Sequence, residues 1–413
     1  MAAKTSVRRR TDLRFPGKHD RARITSRYGN DRKGADAAVK LIHTADWQLG
    51  MKAAHVGGAA PRVREERLAA ARRVVAAARE QGAELIVIAG DTFEDNGVER
   101  ALVQKAADVL GSSPVPVFVI PGNHDPLTPG SVWEHPAWKT MEHVHVLREQ
   151  KPIDVPGGTL YPCPVKDKRS RKDPTAWITP AAGDAIRIGL AHGTVEGVQQ
   201  PEPDHPIARD AAGRAGLDYL ALGHWHSTSV YPAADGAVRM AYCGTHEATG
   251  FGERDSGNIL MVEIAGHGAA PMVTPLRTGG LTWKVFEKDL RQPGDLAGVR
   301  QVIELHQDAD TTLVELRVRG LLAAAERDEL ERIREILASR FPFHRVDSSG
   351  LRPSPADSGW LAGLPPGLLQ GLAARLQELS DPGYAGNRPQ GGSPEAASRA
   401  LMELYTMITE ASR

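Results

Sequence analysis

The amino-acid sequence predicts an α/β fold with a polar site at the carboxyl ends of its strands. Residues 85–89, Leu-Ile-Val-Ile-Ala, form the kind of short aliphatic run that is buried on both faces of a parallel sheet. Residues 62–80 instead repeat apolar side chains at intervals of three and four among Arg and Glu, which is typical of an amphipathic helix. Because such runs alternate, and each strand run ends in a polar block, we expect a layered sheet domain.

The remaining elements of this domain follow in order from residue 39. Further strands are predicted at residues 39–44, 115–120, 186–191 and 219–222, and a second helix at 98–110. Gly82 ends the first helix, and Gly90 lets the backbone turn sharply after the strand at 85–89. The first domain is therefore predicted to span residues 39–265.

Past residue 265 the sequence pattern changes. Residues 266–280 resemble a Gly/Pro-containing connector, and alternation then predicts strands at 282–286 and 312–318 with an amphipathic helix at 323–340. Gly, Pro and Ser in residues 348–366 and 380–394 indicate linkers around two terminal helices, 368–379 and 394–410. We therefore expect a small α/β domain over 281–347 and a helical region over 357–413.

Length and composition bound the class of protein. At 413 residues the chain exceeds the size of one hydrophobic core, and its 25% charged and 41% hydrophobic residues are ordinary for a globular protein. Lys and Arg number 51, as do Asp and Glu, so only a local basic surface could recognise nucleic acid. Two cysteines, Cys163 and Cys243, lie outside any CxxC pair and favour a reducing cytoplasm, and no apolar run approaches the roughly 20 residues that span a membrane.

Residues 1–38 are rich in Arg and Lys and poor in apolar side chains, so they cannot bury enough surface to offset the entropy of ordering. We predict a basic disordered arm. Two interpretations of its role stay open: a solvated tail, or an arm that binds nucleic acid.

Five polar blocks follow the strands of the first domain. They are Asp46-Trp47-Gln48, Gly90-Asp91, Gly122-Asn123-His124-Asp125, Ala191-His192-Gly193 and Gly223-His224-Trp225-His226. Because ligands bind outside the carboxyl ends of strands in open α/β sheets, these blocks can converge. Carboxylate, amide and imidazole ligands together indicate a site for two divalent metal ions, a recurrent device for hydrolysing phosphate esters.

The order of these blocks resembles that of the calcineurin-like metallophosphoesterases. The stretches HTADWQLG, IAGDTFEDNG, PGNHDP and LGHWH, with YCGTHE and GFGERDSGNILMVEI further on, are most similar to the SbcD-type DNA repair exonuclease subunits. This resemblance covers residues 40 to 265 and implies a four-layer αββα sandwich. It also implies two metal ions, usually Mn²⁺, with Mg²⁺ as the alternative.

The resemblance also implies a role for each block residue. The first metal ion would be bound by Asp46, Gln48, Asp91 and His226, and the second by Asp91, Asn123, His192 and His224. His124 would lie beside the scissile phosphate, and Asp125 would orient it. His43, in the strand that enters the site, is a candidate for supporting these ligands.

Gln48 departs from the family pattern, which has a His at this position. An amide oxygen binds Mn²⁺ or Mg²⁺ but is less suited than imidazole to a borderline transition metal. Three outcomes stay open: weaker binding of the first ion, which we favour, replacement by a harder ion, or loss of catalysis with retained nucleic-acid binding.

The leading hypothesis is a metal-dependent DNA exonuclease and endonuclease subunit. The alternatives are a phosphatase or small-molecule phosphodiesterase, and a weakly active or non-catalytic DNA-binding subunit. The resemblance further implies that the domain at 281–347 caps the site and that the C-terminal helices bind an SbcC-type coiled-coil ATPase, and family members often form homodimers. Trp47 and Trp225 could stack on bases or pack in the core, and Glu94 and Asp95 are expected to be solvated helix caps rather than ligands.

Overall fold

The computed structural model describes residues 38–197, 204–291, 294–323, 326–353, 363–390 and 392–411. Apart from residue 38, the predicted basic arm lies outside the described residues. The chain divides into two compact units, Met1–Leu281 and Thr282–Arg413. Within the described ranges, every helix is too short or too polar to cross a membrane.

The first unit contains twelve strands and four α-helices among its described residues. The strands are β1 Val39–Thr44, β2 Leu85–Ala89, β3 Val117–Ile120, β4 Val144–Val146, β5 Ile153–Val155, β6 Gly158–Pro162, β7 Ile186–His192, β8 Tyr219–Gly223, β9 Ser229–Pro232, β10 Val238–Tyr242, β11 Asn258–Ile264 and β12 Met272–Arg277. The helices are α1 Ala60–Glu80, α2 Arg100–Gly111, α3 Ala137–Thr140 and α4 Ala211–Arg214, with 3-10 turns at Ala54–Ala59 and Val132–Glu134.

These strands form two six-stranded sheets. The first has the order β12-β11-β1-β2-β3-β4 and the second the order β5-β6-β7-β8-β10-β9. Strands β1 to β4 run parallel in the first sheet, and β6, β7, β8 and β10 run parallel in the second, while β11, β12, β5 and β9 pair antiparallel with their neighbours. The carboxyl ends of the central strands therefore carry the five polar blocks of the sequence.

Successive side chains of a buried strand point to opposite faces of its sheet and so pack in different layers. In β1, Leu41 packs in the core between the two sheets while Ile42 packs against the layer of α1 and α2. On the outer face of the second sheet, residues of α4 and the neighbouring loops cover Leu220 and Leu222 of β8. The order helix, sheet, sheet, helix confirms the predicted four-layer α/β sandwich.

Two segments that were predicted to be irregular contain strands. The connector at 266–280 includes β12, which pairs with β11 at the edge of the first sheet. Its side chains are mostly exposed and it contains Pro275, so it lacks the apolar run and the alternation that mark inner strands. Residues 348–353, predicted as part of a linker, continue a strand that spans Phe343–Pro353 through the polar sequence Ser-Ser-Gly.

The second unit is a three-stranded parallel sheet with helices packed on it, followed by two helices. Its elements are β13 Thr282–Leu290, α5 Asp295–Glu304, β14 Thr312–Leu322, α6 Arg327–Arg340, β15 Phe343–Pro353, α7 Leu368–Ser380 and α8 Pro394–Ala411. Strand β14 is central, and its residues Val314, Leu316 and Val318 form a core with the apolar side of α5 and α6. Helices α7 and α8 pack through a small cluster of Ala373, Leu401 and Leu404.

His43 lies in β1, between the two sheets. Its Nδ1 is 2.9 Å from the hydroxyl oxygen of Tyr219, and its Nε2 is 3.1 Å from the carbonyl oxygen of Leu222. Burial lowers the pKa of His43 to about 3, so the ring is neutral, donates through Nε2 and accepts the Tyr219 hydroxyl. Both ring nitrogens are thus used by β8, so His43 ties β1 to the strand that precedes His224.

Because His43 is neutral in the folded state, we expect the free energy of unfolding to depend on pH. The unfolded chain binds a proton at this ring below about pH 6.5, whereas the folded chain does not. Below that pH, His43 therefore lowers the free energy of unfolding by about 1.4 kcal/mol for each pH unit. H43L should reduce the slope of the free energy of unfolding against pH by about this amount between roughly pH 6 and pH 4. Denaturant titrations at several pH values measure the slope. The exposed residue His55 provides the control, H55L, and an unchanged slope in H43L would contradict a buried neutral ring.

Candidate metal centre

The loops after β1 and β2 run side by side and bring two carboxylates together. The backbone N–H of Asp46 donates to the carbonyl of Gly90 at 3.1 Å, and that of Gln48 donates to the carbonyl of Asp91 at 2.9 Å. The carboxylates of Asp46 and Asp91 are both buried. One donor atom each from Asp46, Asp91 and His192 lies within 4.8 Å of the others.

Four of the predicted metal-binding residues have a left-handed backbone. The φ angles are 53° at Asp46, 40° at Gln48, 51° at Asp91 and 109° at His224. Non-glycine residues avoid this region, and each such residue costs on the order of 1–3 kcal/mol. Strain of this kind concentrates at functional sites, where the surrounding structure holds side chains in a required direction.

Glycines in the same blocks permit close approach of the loops. A Cβ atom at Gly122 would overlap the carboxylate of Asp91, and one at Gly223 would overlap the carbonyl oxygen of Ala89. The glycines of the GNHD and GHWH blocks are therefore required by space.

The second predicted metal site is assembled around His192. Its Nδ1 is 2.8 Å from the carbonyl oxygen of Ala89, while its Nε2 is 2.7 Å from Oδ1 of Asn123 and 3.3 Å from Oδ2 of Asp91. A metal-binding His typically donates its other ring nitrogen to a carbonyl in this way. His224 Nδ1 is 3.2 Å from the same Asn123 oxygen, and its buried Nε2 has no hydrogen-bond partner among the described residues.

Burial and mutual charge set the proton affinities of this cluster. Burial raises the pKa of Asp46 to about 6 against the pull of nearby imidazoles. Burial also opposes ionisation of Asp91, but the His192 imidazole outweighs it and holds the Asp91 pKa at about 2. In turn Asp91 raises the pKa of His192 to about 9 in spite of burial. The cluster therefore attracts positive charge at the point where His192 Nε2 faces Asp91 and Asn123, as a divalent cation site requires.

The first predicted metal site joins Gln48 to His226. The Gln48 amide nitrogen is 3.1 Å from His226 Nε2. On the other side of the ring, His226 Nδ1 is 2.9 Å from Oε1 of Glu253. Glu253 was not singled out from the sequence, although it lies in the quoted stretch GFGERDSGNILMVEI.

His124 and Asp125 differ in part from their predicted roles. The Nδ1 of His124 contacts the carbonyl oxygen of Glu94 at 2.9 Å, so Glu94 and not Asp125 orients the ring. The Asp125 carboxylate instead accepts the backbone N–H groups of Gly122 at 2.7 Å and Phe93 at 2.9 Å. Both of its oxygens are used in fixing the GNHD loop, and burial raises the Asp125 pKa to about 7.

The other residues considered from the sequence have structural positions. Trp47 is fully buried and stacks on His246 at 5.1 Å, so it cannot stack on a base. Trp225 is partly buried and packs against the core beside the second sheet. Glu94 and Asp95 precede α2 by several residues, so neither caps that helix, and Asp95 instead accepts the N–H of Gly97 at 2.6 Å.

Sequence patterns did not identify Arg67, which braces the first block. This guanidinium is 1% exposed, and it donates to the carbonyls of Trp47 at 3.0 Å and Glu247 at 2.7 Å and to the hydroxyl of Thr245 at 3.2 Å. Thr245 in turn donates to the carbonyl of Asp46 at 2.8 Å. One signal was available: Arg67 falls on the apolar stripe of the helix, four residues after Val63.

The donor set fits divalent metal ions. Carboxylates, amide oxygens and imidazoles whose far nitrogens are already tied form a set of oxygen and nitrogen ligands, which suits Mn²⁺, Zn²⁺ and Mg²⁺ better than soft ions. Together with the unpartnered His224 Nε2, this arrangement can bind metal ions at the mouth of the sandwich. A two-sheet sandwich with such ligands at its strand ends is the arrangement expected of a metal-dependent hydrolase.

Comparison with known proteins relates the first unit to a family. Residues 39–228 match the family model of the calcineurin-like phosphoesterases, and the match ends before β9. This domain, just under half of the chain, is therefore similar to the calcineurin-like phosphoesterases.

The chain is also similar to one curated relative and to several solved structures. It is 26% identical over 271 residues to the uncharacterized metallophosphoesterase YhaO of Bacillus subtilis (strain 168), covering 63% of this chain but only 62% of the relative. TT1561 of Thermus thermophilus is 10% identical, with a TM-score of 0.38 over 58% of this chain and 99% of its own. YfkN of Bacillus subtilis, a calcineurin-like phosphoesterase, is 13% identical, with a TM-score of 0.35 over 59% and 91%. Neither solved structure bears on the substrate.

Removal of the Arg67 side chain should destabilise the first unit. R67A leaves buried carbonyls of Trp47 and Glu247 without their donor, and each unsatisfied buried group costs about 1–3 kcal/mol. We expect the free energy of unfolding to fall by about 3 kcal/mol or more. Chemical denaturation measures this loss. R72A, an exposed residue on the same helix, is the matched control, and equal stability of the two variants would contradict the bracing role.

Proposed function

We propose that this metallophosphoesterase is a DNA exonuclease and endonuclease subunit that acts with two divalent metal ions, most often Mn²⁺. The observation that carries the hydrolytic part is the convergence of buried donors from separate strand ends around Asp91 and His192. Asp46, Gln48, Asp91 and His226 would bind one ion, and Asp91, Asn123, His192 and His224 would bind the other. The free thiols of Cys163 and Cys243 support a cytoplasmic location.

The residues divide the chemistry of phosphodiester hydrolysis among them. When bound, the two ions supply a hydroxide nucleophile near neutral pH and neutralise the non-bridging phosphate oxygens. Asp46 and Asp91 hold the positive charge in a buried position, where electrostatic stabilisation is strongest. The Nδ1–H of His124 donates to the Glu94 carbonyl, so it is the doubly protonated ring that carries a further hydrogen on Nε2 and can donate it to the leaving sugar oxygen.

A basic loop next to the metal centre supports a polyanionic substrate. Residues 166–172 follow β6 and include five exposed cations, which are Lys166, Lys168, Arg169, Arg171 and Lys172. None of the five forms an ion pair with another residue in the described part of the chain. Charges without protein partners are available to phosphates, and phosphate contacts supply most of the affinity of non-specific DNA binding.

Hydrogen bonds attach both ends of this basic loop to the site. At its start, Val165 donates to the carbonyl of Pro121 at 3.1 Å and accepts from Leu127 at 2.9 Å, so it flanks the GNHD block. Further along, the backbone N–H of Ser170 donates to the carboxylate of Asp204 at 2.8 Å. Asp204 pairs with Thr194, two residues after His192, through a backbone hydrogen bond of 3.0 Å. Although the whole chain has no net charge, it thus has a local basic surface, which DNA binding requires.

The C-terminal helices supply the partner part of the proposal. Leu368 is 87% exposed on α7, and Leu369, Leu372 and, on α8, Met407 are also exposed. Such apolar side chains support docking of an SbcC-type coiled-coil ATPase on this region, with homodimer formation as the alternative occupant. Light scattering of the full chain, alone and with the ATPase, distinguishes the two.

Cleavage assays test the nuclease activity. Labelled single- and double-stranded DNA should be degraded in the presence of Mn²⁺, and D91N should lower the rate by about 100-fold or more because it removes a charge that stabilises the transition state. D154N, an exposed aspartate of β5, is the control. Absence of metal-dependent DNA cleavage, alone or with the ATPase, refutes the proposal, and faster hydrolysis of p-nitrophenyl phosphate or nucleotides would select a phosphatase or small-molecule phosphodiesterase.

Salt dependence tests the basic loop. K168Q/R171Q should weaken DNA binding and lower the slope of log affinity against log salt by up to about 2, since each phosphate contact contributes about 0.9. Hydrolysis of bis(p-nitrophenyl) phosphate should stay at the wild-type rate, because this small diester does not reach the loop. R72Q/R79Q, which removes two exposed cations of α1, should leave the slope unchanged; a loop variant that behaves like this control rules the surface out.

A further inference from the structure

Glu253 has the contacts of a residue built to hold one histidine. It lies in the loop between β10 and β11, and its side chain is 16% exposed. One carboxylate oxygen, Oε1, accepts from His226 Nδ1 at 2.9 Å and from the Thr249 hydroxyl. The other, Oε2, accepts from the backbone N–H of Thr249 at 2.8 Å and from the Ser256 hydroxyl at 3.1 Å. With four donors around it, the carboxylate has a fixed orientation.

Proton positions in this chain of contacts follow from the donors and acceptors. A carboxylate only accepts, so the Nδ1 of His226 carries the hydrogen. The Gln48 amide nitrogen, which only donates, lies 3.1 Å from His226 Nε2, so Nε2 accepts through its lone pair. The two contacts agree on a single tautomer, in which Nε2 is the nitrogen available to a metal ion.

We propose that Glu253 is a positioning residue that holds His226 in the Nδ1–H tautomer and so presents Nε2 to the first metal site, where the Gln48 amide engages the same atom. This inference rests on the proposed two-metal function. An ion at the first site must displace the Gln48 N–H from His226, and the amide of Gln48 is a weaker ligand for a borderline metal ion than an imidazole. The first site should therefore be the weaker of the two.

The variant E253Q places a hydrogen-bond donor, instead of an acceptor, beside Nδ1 of His226. The backbone N–H of Thr249 cannot become an acceptor, so the new amide must turn its oxygen toward Thr249 and its NH2 group toward His226. Nδ1 then has to accept, and the hydrogen moves to Nε2, where it blocks metal binding. E263Q, on β11, is the matched control, because the Glu263 side chain is 30% exposed and pairs with Lys40 at 2.6 Å.

Nitrogen-15 NMR of the imidazole rings in the metal-free full chain reads the tautomer without any activity measurement. The His226 signals are identified by their loss in H226Q. Wild type and E263Q should show the Nδ1–H form, and E253Q the Nε2–H form. Either an Nε2–H or a doubly protonated His226 in the wild type at neutral pH overturns the proposal, and this wild-type result does not depend on the folding of E253Q.

Titration with Mn²⁺ provides the second measurement. The wild type should bind one ion tightly and a second more weakly, and E253Q should weaken the second step by about 10- to 100-fold with little change in the first, as is usual when the partner of a metal-binding His is removed. Equal loss at both steps would mean a general structural role and overturn the proposal. Failure of the wild type to cleave DNA would refute the nuclease activity but leave these two results standing.

Discussion

The buried guanidinium of Arg67 is the contact on which the metal centre depends. Its hydrogen bonds join α1 to the first polar block, at Trp47, and to the loop after β10, at Glu247 and Thr245. Burial lowers the pKa of Arg67 to about 10, so the group still carries its charge at neutral pH. A full positive charge, surrounded by carbonyl oxygens, is what allows a loop with left-handed residues at Asp46 and Gln48 to keep one conformation.

The strands that carry the polar blocks could be predicted from the sequence, whereas the inner strands β6, β10 and β11 and the edge strands of the first unit were not. The run at 85–89 is apolar at every position because it is buried on both faces, and it coincides with β2. Strands β5, β9 and β12 lie at sheet edges, where exposed side chains remove the apolar signal, and none of them was predicted. Such strands are defined by pairing with a neighbour that is distant in sequence, as β12 is by β11.

The residues of the candidate site likewise divide into some that could be predicted from the sequence and some that could not. Residues such as Asp91 and His192 stand directly after apolar strands, so their convergence follows from the sheet. Arg67 and Glu253 instead act through contacts across long sequence separations, 180 residues in the case of Arg67 and Glu247. Arg67 occupies a position that periodicity assigns to the apolar face of α1, and Glu253 lies in a glycine-rich loop. Single-residue patterns carry no information on such partners, and only the fold reveals them.

Exchange of His for Gln at position 48 alters ligand character more than charge, because a neutral imidazole and an amide are both uncharged. The loss at the first site is therefore one of donor strength toward transition metals and of orientation, since the amide hydrogen-bonds His226 instead of pointing into the site. Glu253 acts in the opposite direction: a carboxylate behind His226 raises the basicity of the ring and hence its strength as a ligand. Harder ions lose less from an amide ligand than borderline ones do, so an ion bound by Gln48 would more readily be Mn²⁺ or Mg²⁺ than Zn²⁺, whereas Glu253 would strengthen the imidazole ligand for either kind of ion.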